Sequence, residues 1–222
     1  FTGLKDFEFL FKTKDAWTIT RNTLGYNIIF IVLGTVLAIA VAILLNEIRS
    51  TMGKKVYQTL ILVPFLISIV VVSYLVYGFL STDAGFINNS ILKPMGKEAI
   101  GWYSNAKYWP FILIFVNIWK NLGYNCIIYY ATVVGLDASL YESASIDGAN
   151  RWQKIKNIIW PTIKPTTTIL LIMNLGNVLG NALNSDYTKI LLMQNDTNRS
   201  QLEVIGTFVY QKGIVNSRMQ QP

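Results

Sequence analysis

Residues 26–45 read YNIIFIVLGTVLAIAVAILL, an apolar run whose one strongly polar side chain is Asn27. About 20 apolar residues in a helix cross the hydrocarbon of a bilayer. The run holds no charge and no proline, so it predicts a membrane-spanning helix. Three further runs approach the same length. They lie at about 60–80, with Pro64 near its start, at about 108–136 and at about 166–183. Composition points the same way. The 222 residues are 52% hydrophobic and 14% charged, where a soluble domain carries about 25% charged residues. The composition argues against disorder, which needs low hydrophobicity and high net charge. It also argues against an ordinary soluble enzyme.

The net charge is +7. The bases are scattered among apolar runs, which suits a membrane surface better than nucleic acid. The chain has no His and a single Cys, Cys126. Histidine metal sites, histidine general bases and Ser-His-Asp triads are therefore out of reach, as is an intrachain disulfide. Cys126 sits in an apolar run and reads as a small buried hydrophobe.

The first two runs are clean, but the third and fourth are not. The third carries Asn117, Lys120, Asn121 and Asn125; the fourth carries Asn174, Asn177 and Asn181, with Asn184 just beyond it. Steps of three, four and three place Asn174, Asn177, Asn181 and Asn184 on one helix face. Asn117, Lys120 and Tyr124 share a stripe on the third run, with Asn121 beside it. Polar groups at membrane depth are costly without partners or water, so these stripes point to a solute path in a bundle with a polar interior. Trp119, Tyr124 and Tyr129 could offer flat faces to sugar rings, although packing explains each of them singly. The alternative is interhelical glue, which the close-packing pair Gly176 and Gly180 favours. Lys120 has its own alternative, snorkelling to an interface.

Four spans alternate sides, so the loops at 46–58 and 137–165 share one side. They hold 7 Lys/Arg in 42 residues, against 11 in 91 for residues 1–25, 81–107 and 184–222. That bias points to both loops being cytoplasmic; together with the loop resemblance given below, it places Lys54 and Arg151 in the cytoplasm and Asn89 and Asn195 outside. The stretch 137–165 is too polar to span and carries helix punctuation. Ser139 and Glu142 form an S-x-x-E capping box, Gly148 suits a left-handed helix stop, and Asn150 with Gln153 offers a second start. Pro161 then discourages continuation and Pro165 precedes the next span. The expectation is a cytoplasmic platform of two short helices joined at Gly148. The fold class is an all-α polytopic membrane bundle.

Glu142-Ser143-Ala144, three residues, Gly148, nine residues, Ile158, one residue, Trp160-Pro161 resembles the EAA loop of bacterial ABC-importer permeases. The spacing agrees throughout; Ser143 and Trp160 depart from the family's Ala and Leu. Leu136, Tyr141 and Ile146-Asp147-Gly148-Ala149 resemble the carbohydrate-importer branch. Gly3-Leu4, Phe7, Leu10-Phe11 and Asn22-Thr23-Leu24 are similar to that branch's external segment. The resemblance implies a type-1 importer transmembrane domain over residues 26–222 and an external segment at 1–25. It also implies a further span before Phe1 and another after Pro222. By the same resemblance the chain is a multi-pass permease subunit in the inner membrane of a bacterium, moving an oligo- or polysaccharide. A second permease, a cytoplasmic ABC ATPase dimer and an extracellular substrate-binding protein complete the importer. Glu142, Ser143, Ala144, Asp147, Gly148, Ala149 and Pro161 become the residues that couple to the ATPase. The chain would bind no cofactor itself, with ATP and Mg²⁺ on the ATPase. Consistently, Gly53-Lys54 and Gly96-Lys97 lack the upstream glycine of a phosphate-binding loop.

Three rivals stay open at this level. A membrane-embedded enzyme needs a nucleophile, base or metal site at depth, and the spans carry no Asp, Glu or His for one. A passive channel or secondary transporter suits the stripes but leaves the platform unexplained. An amino-acid permease would call for charges facing carboxylate and ammonium groups, where this chain offers mostly Asn and Tyr.

Overall fold

The computed structural model describes residues 14–180 and 185–211, and among these every regular element is a helix. Helix α1 is Lys14–Glu47, α2 Thr51–Leu66, α3 Ile69–Leu80 and α4 Trp109–Val134. Then come α5 Ala138–Ile146, α6 Arg151–Lys154, α7 Trp160–Gly180, α8 Ser185–Met193, α9 Arg199–Leu202 and α10 Ile205–Tyr210. Two stretches among the described residues, Ala16–Glu47 and Ala106–Val134, are long and apolar enough to cross a membrane. A third is added if α2 and α3 are taken as one broken span. Helix α7 has the length at 21 residues, but its threonines and asparagines make it more polar than either. Of the asparagine stripe, Asn181 and Asn184 lie outside the described residues, as do residues 1–13.

Local structure departs from the sequence reading in three places. The run expected as one helix at 60–80 is two. Pro64 lies inside α2 and supplies no N–H to the ladder; Ser68 then caps α3, its hydroxyl accepting from Val70 N–H at 3.4 Å. The cap of α5 is Asp137, whose carboxylate accepts from Ser139 N–H at 3.0 Å, so the Ser139–Glu142 box does not form. Finally, Pro161 does not stop the chain's helix. A π-helical stretch at Ile155–Ile159 carries α6 into α7, with Trp160 N–H reaching back to the Ile155 carbonyl. The wider turn makes room where the proline ring would clash with the preceding turn. Pro165 is likewise inside α7.

The chain divides into two compact units. One comprises the residues up to Ile28, Ile67–Val116 and the residues from Asn177. There the stretches around residues 22, 103 and 200 meet. Asn22 Nδ2 donates to the Ser200 and Glu203 carbonyls, each at 3.2 Å. Tyr26 Oη donates to the Gln201 carbonyl at 2.7 Å and Asn195 Nδ2 to the Tyr103 carbonyl at 3.1 Å. The other unit is Ile29–Leu66 with Asn117–Gly176. Its core is Ala38, Ala42 and Leu45 of α1, Cys126, Tyr129 and Val133 of α4, and Ile159 and Ile163. The three- and four-residue steps along α1 and α4 put each set on one helix face. Here the loops at 46–58 and 137–165 meet: Glu47 pairs with Arg151 at 3.7 Å, and Ile48 and Tyr141 pack against the same core.

Candidate functional site

The platform is built by local hydrogen bonds. Asp137 starts α5; the Ser139 N–H it holds keeps its carboxyl below the usual carboxylate range. Gly148 ends the helix at φ +73°. Its N–H reaches the Ser145 carbonyl at 3.2 Å, and Ala149 N–H reaches the Ala144 carbonyl at 2.9 Å. That pair is the Schellman closure, which needs the left-handed residue glycine adopts cheaply. Asn150 then opens α6 reciprocally: its Oδ1 accepts from Gln153 N–H at 2.9 Å and its N–H donates to Gln153 Oε1 at 2.7 Å. Lys154 Nζ donates to Ser145 Oγ at 2.7 Å and ties the two helices across the joint.

The platform's two sides differ. Tyr141 is half-buried against the core. Burial, and after it the Glu47 carboxylate, push its hydroxyl above the ordinary tyrosine value. Ala144 and Ala149 are half-buried, while Glu142, Ser143, Asp147, Gly148 and Pro161 are exposed. With Asp137 as the cap, Glu142 is released from a capping role. Large apolar side chains stand out beside it: Ile146 is 86% exposed and Trp152 71%. Exposed apolar groups on a polar platform mark a contact surface. Sequence reasoning passed over Trp152 and named Ile146 only within the Ile146-Asp147-Gly148-Ala149 resemblance, not as a contact residue. The available signal was their position, apolar residues flanking the Asp147–Asn150 joint.

The polar residues of α4 and α7 divide into three groups. Asn117 is buried, and Asn121 Nδ2 donates to both its carbonyl at 3.0 Å and its Oδ1 at 3.1 Å. Lys120 Nζ donates to the Phe65 carbonyl at 3.1 Å and the Pro64 carbonyl at 3.5 Å. The Tyr124 ring stacks on Phe65, centroids 4.7 Å apart and planes 13° from parallel. Asn174 and Asn177 are exposed on α7. Between α4 and α7, the Thr132 and Thr166 hydroxyls meet at 3.3 Å. Among the described residues no group of His, Cys, Asp and Glu is placed to hold a metal ion.

Comparison with known proteins gives a consistent set. The family of binding-protein-dependent transport system inner membrane components matches residues 31–188. Protein LplB of Bacillus subtilis (strain 168) is 32% identical over 212 residues, covering 96% of this chain and 65% of its own. The polygalacturonan/rhamnogalacturonan transport system permease protein YteP of the same organism is 34% identical, covering 96% of this chain and 64% of its own. The chain thus spans under two thirds of these curated relatives. A crystal structure of a bacterial ABC transporter involved in the import of the acidic polysaccharide alginate is also similar. It matches with a TM-score of 0.90 and 33% identity, over 98% of this chain and 74% of that one.

Proposed function

The chain belongs to the family of binding-protein-dependent transport system inner membrane components, and from that premise we propose that it is the permease subunit of an ATP-driven importer of oligo- or polysaccharides. The observation that carries the reading is the platform: a Schellman joint at Gly148, with Glu142 and Ile146 exposed beside it. A passive channel has no use for such a surface. A cytoplasmic ABC ATPase pair docks there, and ATP and Mg²⁺ belong to that partner. Glu142, Ser143, Asp147 and Gly148 face it, the half-buried Ala144 and Ala149 stand beside them, and Pro161 follows the joint. A second permease completes the pore, and an extracellular binding protein delivers the saccharide. The test is co-purification: the full-length protein brings an ABC ATPase whose activity rises with loaded binding protein, and purification without one sinks the reading.

We assign Asn174 and Asn177 of α7 and Asn117 and Asn121 of α4 to the residues that meet the saccharide, as we do Asn181 and Asn184, which lie outside the described residues. An amide both donates and accepts, so it serves hydroxyls, and its N–H₂ serves a uronate carboxylate equally. That breadth suits the acidic polysaccharides named for YteP and the alginate transporter. Losing one such bond costs about 1 kcal/mol, or roughly fivefold in apparent affinity. Asn174→Leu and Asn177→Leu should each lower uptake with the complex assembled, and the double change should lower it more. If the variants instead dissolve the complex, the stripe is helix–helix glue.

Orientation follows from the same proposal. Lys97 and Asp196 are exposed in stretches assigned outside, and Lys55 and Arg151 in loops assigned to the cytoplasm. An impermeant thiol reagent on intact cells should modify Lys97→Cys and Asp196→Cys and spare Lys55→Cys and Arg151→Cys. Cys126 is buried and gives little background. Modification at 151 would invert the topology.

A further inference from the structure

Helix α2 ends at Leu66, so the carbonyls of its last turn have no helical N–H to bond. In hydrocarbon an unpaired carbonyl cannot turn to water. Lys120 of α4 reaches two of them, Phe65 and Pro64. A cation is also what the negative end of a helix favours. The same ammonium lies 5.8 Å from the Phe65 ring centroid, within range of a cation–π attraction. One turn on, Tyr124 stacks on the same Phe65 ring. Between them, Gly123 lets the helix backbones touch: a Cβ there would overlap the Ile61 carbonyl and lie 2.8 Å from Leu62 Cα.

We infer that Lys120, Gly123 and Tyr124 form a clamp that holds the broken end of α2 on α4, with Lys120 a positioning residue and not a ligand for the solute. The three fall on positions i, i+3 and i+4 of one helix face, and all three act on Ile61–Phe65. The ammonium donates to two backbone carbonyls, which assigns it to the end of α2. This rests on the permease reading for its effect on transport, while the clamp itself is tested without transport.

The experiment uses the full-length protein in its assembled complex with Cys126→Ala. Phe65→Cys and Tyr124→Cys are joined by a short bifunctional thiol reagent, with Lys120, Lys120→Arg or Lys120→Met in the background. Lys120 should crosslink well and Lys120→Arg, which keeps donors for both carbonyls, nearly as well. Lys120→Met should lose about tenfold, the scale of leaving a buried carbonyl unpaired. Gly123→Leu should match Lys120→Met. In the chain carrying native Phe65 and Tyr124, Lys120→Met should lower maximal uptake of a neutral and an acidic oligosaccharide alike, with KM unchanged and Lys120→Arg restoring the rate. Full crosslinking in Lys120→Met overturns the clamp, as does a KM that rises for the acidic oligosaccharide alone. Should Lys120→Met not reach the membrane, Lys120→Arg decides: native crosslinking and rate support the clamp, and loss of both rejects it. If the crosslinks respond as stated but the wild-type complex moves no saccharide, the clamp stands and the transport reading fails.

Discussion

Uptake should fall at least tenfold in a Gly148→Trp variant, while the protein should still insert and still assemble with the proposed second permease. Gly148 sits at φ +73°, where any L side chain crowds the following carbonyl at a cost of about 1–2 kcal/mol. No atom lies within 4 Å of a Cβ built there, so the fold has room for a side chain. What a large one meets is whatever docks on the exposed platform. Three substitutions separate the two effects. Gly148→Asn tolerates the left-handed backbone and is small, so it should keep most activity. Gly148→Ala strains the joint without adding bulk and should lose several-fold. Gly148→Trp adds both penalties, and a loss of 1.4 kcal/mol of docking free energy is already about tenfold. The measurements are uptake, ATPase activity of the assembled complex and membrane content by immunoblot. Normal uptake with Gly148→Trp would remove the platform from the coupling mechanism. Glu142→Ala probes the same face: an exposed residue free of capping duty should leave stability alone and lower only the coupled activities.

The parts of this architecture that were legible in the sequence are those whose cause is local. The 26–45 run needs nothing but length and apolarity. The joint at Gly148 and the Asn150–Gln153 box close within six residues, so their bonds can be read from spacing. Local reading also fails locally, when two residues compete for one role. Asp137 and Ser139 can both cap a helix, and Asp137, the residue immediately before α5, takes the place. Pro161 looked like a stop because a proline in an ideal α-helix is one; the π turn before it changes the geometry that makes it so. Lys120 illustrates the other limit. Its composition says only that a charge lies among apolar residues. Its partners, the carbonyls of Pro64 and Phe65, are 56 and 55 residues away, and no spacing rule connects them. The stripe of Asn117, Lys120 and Tyr124 therefore looked uniform, although Lys120 and Tyr124 both serve α2.

Replacing Asn88 by Leu should lower the unfolding temperature of the purified complex more than a single change at an asparagine bonded only at the surface. Asn88 is fully buried in the unit that gathers the stretches assigned outside the membrane. Its Nδ2 donates to the carbonyls of Ile100 at 2.9 Å, Thr82 at 3.1 Å and Ser81 at 3.4 Å. Its Oδ1 accepts from Trp102 Nε1 at 3.1 Å and Ile100 N–H at 3.2 Å. One amide thus replaces the backbone pairing that an irregular segment lacks. Trp102 passes the order on, since its carbonyl accepts from Nε1 of the buried Trp109 at the head of α4. Leucine is close in size but strands two part-buried N–H groups, of Ile100 and Trp102, at about 1–3 kcal/mol each. A loss near 3 kcal/mol is about 6–12 °C for a domain of this size. Asn89 is the control: its side chain makes two exposed bonds, Nδ2 donating to the Asp83 carbonyl at 2.9 Å and Oδ1 accepting from Lys93 Nζ at 2.6 Å, which water can replace, so Asn89→Leu should shift the transition by only about 1–2 °C. Asn88→Asp keeps the acceptor but turns a carboxylate toward three carbonyls without a donor, and should be at least as damaging as leucine. Thermal unfolding of the three variants side by side is the measurement. Equal shifts for Asn88→Leu and Asn89→Leu would show that the segment 81–102 is held by its helices alone and that the Asn88 network contributes nothing to its order.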